Sequence, residues 1–265
     1  MLQISQLFIY PIKSLGGIAL TTAEVTDRGL KHDRRWMLVD DNNRFISQRE
    51  FARMALLQMT IESDGLRVTD KSNESFILVP FEPETNIVVK ATVWDDSCEG
   101  TLVSAEADKW FTRILGINAR LIYMAEVSRR EVDPRYAHQK EITSFADGYP
   151  FLLIGQASLD ELNTRLQNQI RMDRFRPNIV FTGGEPYAED VMPHIRINEI
   201  NFYGVKRCAR CVMITIDQQH ATKNVEPMKI LAGYRAQNNK IFFGQNLLHS
   251  GTGNISIGDA LQIII

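Results

Sequence analysis

The strongest constraint on the fold is a set of short runs rich in β-branched and aromatic residues. They are "SQLFIYPI", "RWMLVD", "NIVFTG", "RINEINFYGV" and "VMITID", each bounded by turn formers. Such runs suit a pleated, half-buried surface and are too short for independent helices. The closing "NISIGDALQIII" reads as two strands joined at Gly258-Asp259, a hairpin that completes the fold. Helical periodicity appears in few places. "SAEADKWFTRILG" sets Ala107, Trp110, Phe111, Ile114 and Leu115 on one face and stops at Gly116. "SLDELNTRLQ" opens with Ser158 and Glu161 as a capping box, then repeats Leu159, Leu162 and Leu166 on one stripe. "EPMKILAGYR" begins with a proline suited to a first helical turn and ends near Gly233. The expected class is mainly β with a few helices (α+β). A polar, charged stretch, "EVSRREVDPRYAHQKEITS", separates two β-rich lobes, placed at 1–125 and 126–265.

Composition removes several function classes. With 265 residues, 44% hydrophobic and 23% charged, the chain can build one large core or two modest ones. A net charge of -2 offers no general attraction to nucleic acid or to anionic membranes. No apolar run approaches the ~18 to 20 residues of a membrane span. The start, "MLQISQLFIYPIKSLGG", lacks a basic n-region and is interrupted by Gln6 and Pro11, unlike a signal peptide. Three cysteines argue against a disulfide framework and for a reducing, cytoplasmic setting.

Two of those cysteines, Cys208 and Cys211, sit two residues apart in "KRCARCVMITID". A structural zinc site needs four ligands. The remaining thiol, Cys98, is far upstream, and His32, His138, His194, His220 and His249 never pair at helical spacing. A thioredoxin-type pair needs a helix N-terminus, and Val212, Met213, Ile214, Thr215 and Ile216 are poor helix openers. By spacing alone, the pair reads best as buried strand-end cysteines. Its surroundings point elsewhere. Arg207 and Arg210 flank it and favour a thiolate. Other cations stand beside turn residues at strand ends: Lys13 and Ser14 before Gly16-Gly17, Arg34 and Arg35 in "HDRRW", Arg176 and Asn178 around Pro177. A lysine, a hydroxyl and backbone N–H groups after a strand can hold a phosphate, and arginine adds a planar fork. Together these imply an anionic cofactor with a phosphate at one end and a soft metal at the other.

"YPIKSLGG", "HDRRWMLVD", "SFADGYPFLLIGQASLDELN", "FRPNIVFTGGEPYAED", "CARCVMITID" and "FFGQN", in this order, resemble the MOSC proteins that carry an N-terminal MOSC-type β-barrel domain. The relatives implied are bacterial reductases of N-hydroxylated bases and the mitochondrial amidoxime-reducing component. The resemblance runs over nearly the whole chain. It implies a MOSC β-barrel core in 126–265, an N-terminal β-barrel domain in 1–125, and a molybdenum cofactor buried between the lobes. Its metal would take the second cysteine of the motif, Cys211, which suits a soft thiolate site. The resemblance also implies that Lys13, Ser14 and Arg34 grip phosphate and pterin, and that Arg176 and Asn178 reach the pterin. Ala209 and Arg210 would flank the metal, and Asp147, Gly148, Tyr149 and Asn246 would line the cofactor. Asn246 replaces a tyrosine of the animal proteins, and Gly184 stands where they carry a further cysteine. Cys208 is expected to be structural or to tune the metal.

The implied activity is reduction of hydroxylamines, amidoximes and N-hydroxylated bases. Several bacterial relatives continue into a plant-type [2Fe–2S] domain, which needs four cysteines in a fixed run. No such run occurs here, so a separate ferredoxin, flavin reductase or haem protein is the expected electron donor. The alternative is a cofactor carrier or sulfur relay without turnover, since MOSC domains also end the molybdenum-cofactor sulfurases.

Overall fold

The computed structural model describes residues 1–264. All but one of the predicted strand runs form strands, organised as one nine-stranded sheet, one four-stranded sheet and two three-stranded sheets. The large sheet orders Gln262–Ile263, His194–Ile197, Ile200–Ala209, Lys240–Ser250, Phe151–Gly155, Ile179–Thr182, Gln3–Ile9 and Ile18–Leu20, with Ala236–Gln237 alongside Lys240–Ser250. Phe151–Gly155 and the first three residues of Ile179–Thr182 are polar nowhere because both faces are covered. Phe151, Leu153 and Ile179 face one core with Phe202 and Leu247, while Leu152, Ile154 and Val180 face another with Phe175 and Phe243.

A second lobe is built from the four-stranded sheet Trp36–Val39, Arg120–Tyr123, Asp96–Leu102 and Val88–Val93, and from Leu57–Ile61, Gly65–Asp70 and Phe76–Pro80. Helix α1 (Ala105–Leu115) packs Trp110, Phe111 and Ile114 into its core. The Ser104 hydroxyl accepts from the Ala107 amide, and Gly116 closes the helix in the left-handed region at φ 71°.

The sheets do not follow a division at residue 125. The strand Gln3–Ile9 pairs with Ile179–Thr182, and Thr22–Thr26 pairs with Gly253–Ser256. The charged stretch after Tyr123 is tied down by ion pairs. Glu126 meets Arg35 at 2.7 Å, and buried Arg130 donates to the carbonyls of Ser144 and Ala146.

Three local expectations are corrected. "VMITID" leaves the sheet as a 3-10 helix, Val212–Thr215, with Cys211 at its N-cap position; the Thr215 hydroxyl donates to the Val212 carbonyl at 2.7 Å and steadies the turn. Gly258-Asp259 does turn the chain, but Gly253–Ser256 and Gln262–Ile263 diverge onto different partner strands and form no hairpin. The Ser158–Glu161 capping box does not form. Helix α2 (Gln156–Arg165) starts earlier, and the buried Glu189 carboxylate reaches its first turn from outside. The Ser158 hydroxyl donates to both Glu189 oxygens at 2.9 Å, and the Gly155 backbone hydrogen-bonds the same carboxylate. Glu161 instead holds Arg165, Tyr187 and Tyr234.

Burial pushes the Glu189 carboxyl up to about 7, against the hydrogen bonds that favour its charge. A carboxyl raised on folding favours the folded state below its unfolded value and loses that contribution as pH rises to about 7. Thermal melts of wild type and Glu189→Gln should therefore shift in favour of the variant between pH 4.5 and 7. A constant difference across that window would contradict the assignment.

Candidate functional site

The two lobes enclose a cleft of about 290 Å³. Every residue expected from sequence lines it: Lys13, Ser14 and Arg34 from the first strand and its following turns, Asp147, Gly148 and Tyr149 before Phe151, Arg176 and Asn178 before Ile179, Ala209, Arg210 and Cys211 after Lys206, and Asn246. These stretches are far apart in sequence, and the large sheet brings most of them to one end.

One end of the cleft is cationic. Lys13, 5% exposed, donates to the Phe145 carbonyl at 2.8 Å and to Asp147 at 2.5 Å. Burial lowers the Lys13 ammonium to about 8, although the Asp147 charge partly restores it. Burial also acts to raise Asp147, but the Lys13 charge and hydrogen bonds from Lys13 and Trp94 hold it well below the usual carboxylate range. The guanidinium groups of Arg34 and Arg176 both pack on the Tyr10 ring, at 4.3 and 4.2 Å. Burial, then the Arg34 charge, lowers Arg176 to about 10. Ser14, Arg34 and Arg176 all stand at positive φ, 69°, 50° and 57°. Left-handed backbone is disfavoured for such residues and concentrates at functional sites. The buried Asp33 carboxylate fixes this end, accepting from the Tyr10 amide at 2.7 Å and from Arg34 at 2.7 and 2.6 Å.

The other end carries sulfur. Cys211 is exposed at the strand-to-helix turn, and Cys208 is half-buried. Arg210 donates to the Cys208 sulfur at 3.0 Å and to the Phe175 carbonyl at 2.6 Å. Among the described residues no three His, Cys, Asp or Glu side chains converge to hold a metal ion. The geometry therefore gives no zinc site, and a metal at Cys211 would draw its other ligands from a bound group. All three cysteines are free, so the pair is not a disulfide.

Two of the expected lining residues also tie strands together. Asn178 is 2% exposed; its amide donates to the Phe8 carbonyl, and its oxygen accepts from the Leu152 amide. It fastens three strands under the cleft. Asn246 donates to the Lys206 carbonyl at 3.0 Å and bridges two strands. Sequence reading missed Asp33, Tyr10, Phe45, Arg49, Arg174 and Lys206. Asp33 was visible as the acid beside Arg34, and Lys206 as a cation two residues before Cys208. Nothing local marks the others.

The cationic end makes a direct prediction. Binding of inorganic pyrophosphate to the ligand-free protein should weaken as pH rises through about 8, where Lys13 loses its proton, and Lys13→Arg should remove that dependence. Arg34→Ala should cost roughly 1.5–3 kcal/mol of the same affinity. Arg35 faces away, to Met124, Tyr123 and Glu126, so Arg35→Ala should lower the melting temperature and spare the affinity. Titration calorimetry would check all three; equal affinity losses at Arg34 and Arg35 would show bulk charge at work.

Residues 1–118 match the MOSC N-terminal beta barrel domain, and residues 140–262 match the MOSC domain. Mitochondrial amidoxime-reducing component 1 of Homo sapiens is 30% identical over 282 residues, covering 98% of this chain and 82% of that protein. Mitochondrial amidoxime reducing component 2 of Rattus norvegicus is 30% identical over 281 residues, covering 99% and 83%. Molybdenum cofactor sulfurase of Arabidopsis thaliana is 30% identical over 262 residues, covering 89% of this chain and 32% of that protein. With both domains matched and nearly full-length likeness to these reducing components, the chain belongs to the MOSC family that includes them.

Proposed function

We propose that the cleft holds a molybdenum cofactor and that the protein reduces N-hydroxylated compounds with electrons from a separate protein. The observation that carries this reading is the convergence of Lys13, Ser14, Arg34 and Arg176 with an exposed thiol, Cys211, in one cleft. A phosphate fits the cationic end, where charge-assisted donors are already fixed by Asp33 and Tyr10. A soft metal fits Cys211, since among the described residues no cluster of three His, Cys, Asp or Glu side chains competes for it. When bound, the cofactor supplies a two-electron redox centre; the protein orients it and shapes the space beside it. Cys211 presents sulfur to the metal, Arg210 holds the adjoining Cys208, and Asn178 and Asn246 keep the strands beneath in register.

The overall reaction for a hydroxylamine is R–NHOH with two electrons and two protons, giving R–NH2 and water. Amidoximes and N-hydroxylated bases follow the same balance. The relatives named for amidoxime reduction support the substrate class, and the likeness to a molybdenum cofactor sulfurase supports the cofactor. That second relative also favours the alternative of a carrier that binds the cofactor without turnover. A reducing, cytoplasmic setting belongs to the same proposal, and the three free cysteines support it. Metal analysis and pterin fluorescence on protein made in a molybdate-fed host test the first step; absence of both would end the proposal. Loaded protein should then reduce 6-hydroxylaminopurine with reduced viologen. Bound cofactor without reduction would establish the carrier instead.

A further inference from the structure

The strands Val88–Val93 and Asp96–Leu102 are joined by two residues, Trp94 and Asp95, with Val93 paired to Asp96. Trp94 stands at φ 58°, and Asp95 is not among the residues at positive φ. A two-residue hairpin with positive φ at its first central residue alone has type II′ geometry, and that position belongs to glycine. Tryptophan there is strained. The residue is 46% exposed, and the ring is packed only in part, against Phe45 at 5.4 Å. The contacts it does make all lead to the cationic end of the cleft. Its indole N–H donates to Asp147 Oδ1 at 3.2 Å, the oxygen that accepts from Lys13. The Arg49 guanidinium lies 4.2 Å from the indole ring and 5.3 Å from Phe45, and both Arg49 and Phe45 line the cleft.

We propose that Trp94 is a positioning residue for the anion end of the cleft: a strained hairpin tip that holds Asp147, and through it Lys13, together with Arg49, in the arrangement that receives the phosphate of the cofactor. The identity of that anion rests on the proposed function; the latch on Lys13 does not. Strain of this kind persists where surrounding structure enforces it for a purpose other than folding. The two lobes meet at this point, because the hairpin belongs to the four-stranded sheet and Asp147 leads into the large one.

Trp94→Gly separates the latch from ordinary packing, since glycine is the residue the turn calls for. In ligand-free protein the melting temperature should stay level or rise. Reductive methylation of Lys13, followed by mass spectrometry, should become about three- to tenfold faster as one hydrogen-bonded contact is lost. In protein loaded in a molybdate-fed host, pterin release on gel filtration should accelerate by about the same factor. Trp94→Phe keeps a ring under Arg49 but loses the N–H, and should fall between. A lower melting temperature with unchanged Lys13 labelling would make Trp94 a plain structural residue and overturn the proposal, as would faster labelling with unchanged pterin release. Wild-type protein that never carries pterin would sink the cofactor reading instead, leaving labelling and melting to decide the latch.

Discussion

Serine at position 211 is expected to leave the protein folded and without molybdenum. A neutral hydroxyl is a poor replacement for a soft thiolate ligand, and no neighbouring cluster of His, Cys, Asp or Glu among the described residues could take over. Cys208→Ser should behave differently. The Cys208 sulfur already accepts from Arg210 at 3.0 Å, and it packs beside the core that contains Phe175 and Phe243. A serine oxygen there can accept the same guanidinium N–H, so most of the metal should remain. Molybdenum per chain, measured by mass spectrometry on both variants beside a circular dichroism melt, gives the comparison. Equal losses, or a larger loss at Cys208, would show that the ligand has been assigned to the wrong sulfur.

Loaded protein supplied with NADH or NADPH alone should show no measurable reduction of a hydroxylamine or an amidoxime. The fold gives a reason beyond the missing glycine fingerprint in "GQASLDELN". A dinucleotide places its pyrophosphate on the helix N-terminus of a parallel strand–helix–strand unit. Here that unit is Phe151–Gly155, α2 and Ile179–Thr182, and the buried Glu189 carboxylate already fills the helix N-terminus. A second anion has no place there. Reduced viologen, or a ferredoxin with its reductase, should start turnover, and Cys211→Ser should stop it. Steady NADPH-dependent reduction by the single purified chain would remove the need for a separate donor.

Much of the fold was legible because strand signals and burial agree. "FLLIG" and "IVF" are apolar throughout, as strands covered on both faces must be. Errors arose where tertiary contacts overruled local pattern. Ser158 and Glu161 satisfy the capping spacing, yet Glu189 supplies the cap from a distant segment. "VMITID" carries strand residues, but the chain has to leave the sheet at the cleft, and a 3-10 turn buries Ile214 and Thr215 while exposing Cys211. The site residues were legible as cations beside turns. Their left-handed backbone was not, because serine and arginine give no sign of positive φ as glycine or asparagine would. Asn178, named as a pterin contact on resemblance, lines the cleft and also fastens strands through its side-chain amide, a second role its sequence context did not show.

The pairing of the first strands with late ones sets an order of events during synthesis. Gln3 lies opposite Thr182, and Val25 opposite Gly253, so the amino-terminal strands emerge from the ribosome long before their partners exist. The lobe built from residues 36–123 supplies most of its own core, joined by Ile12, Leu15, Met124 and Phe145, and can form while the rest is still being translated. The large sheet cannot close over the cleft until Lys240–Ser250, which carries Asn246, has joined it. Lys13, Ser14 and Arg34 wait on one side of that closure, and Arg176 and Cys211 arrive on the other. A nascent chain that stops short of Asn246 thus has no complete cleft to load, and cofactor insertion has to follow the joining of early and late strands.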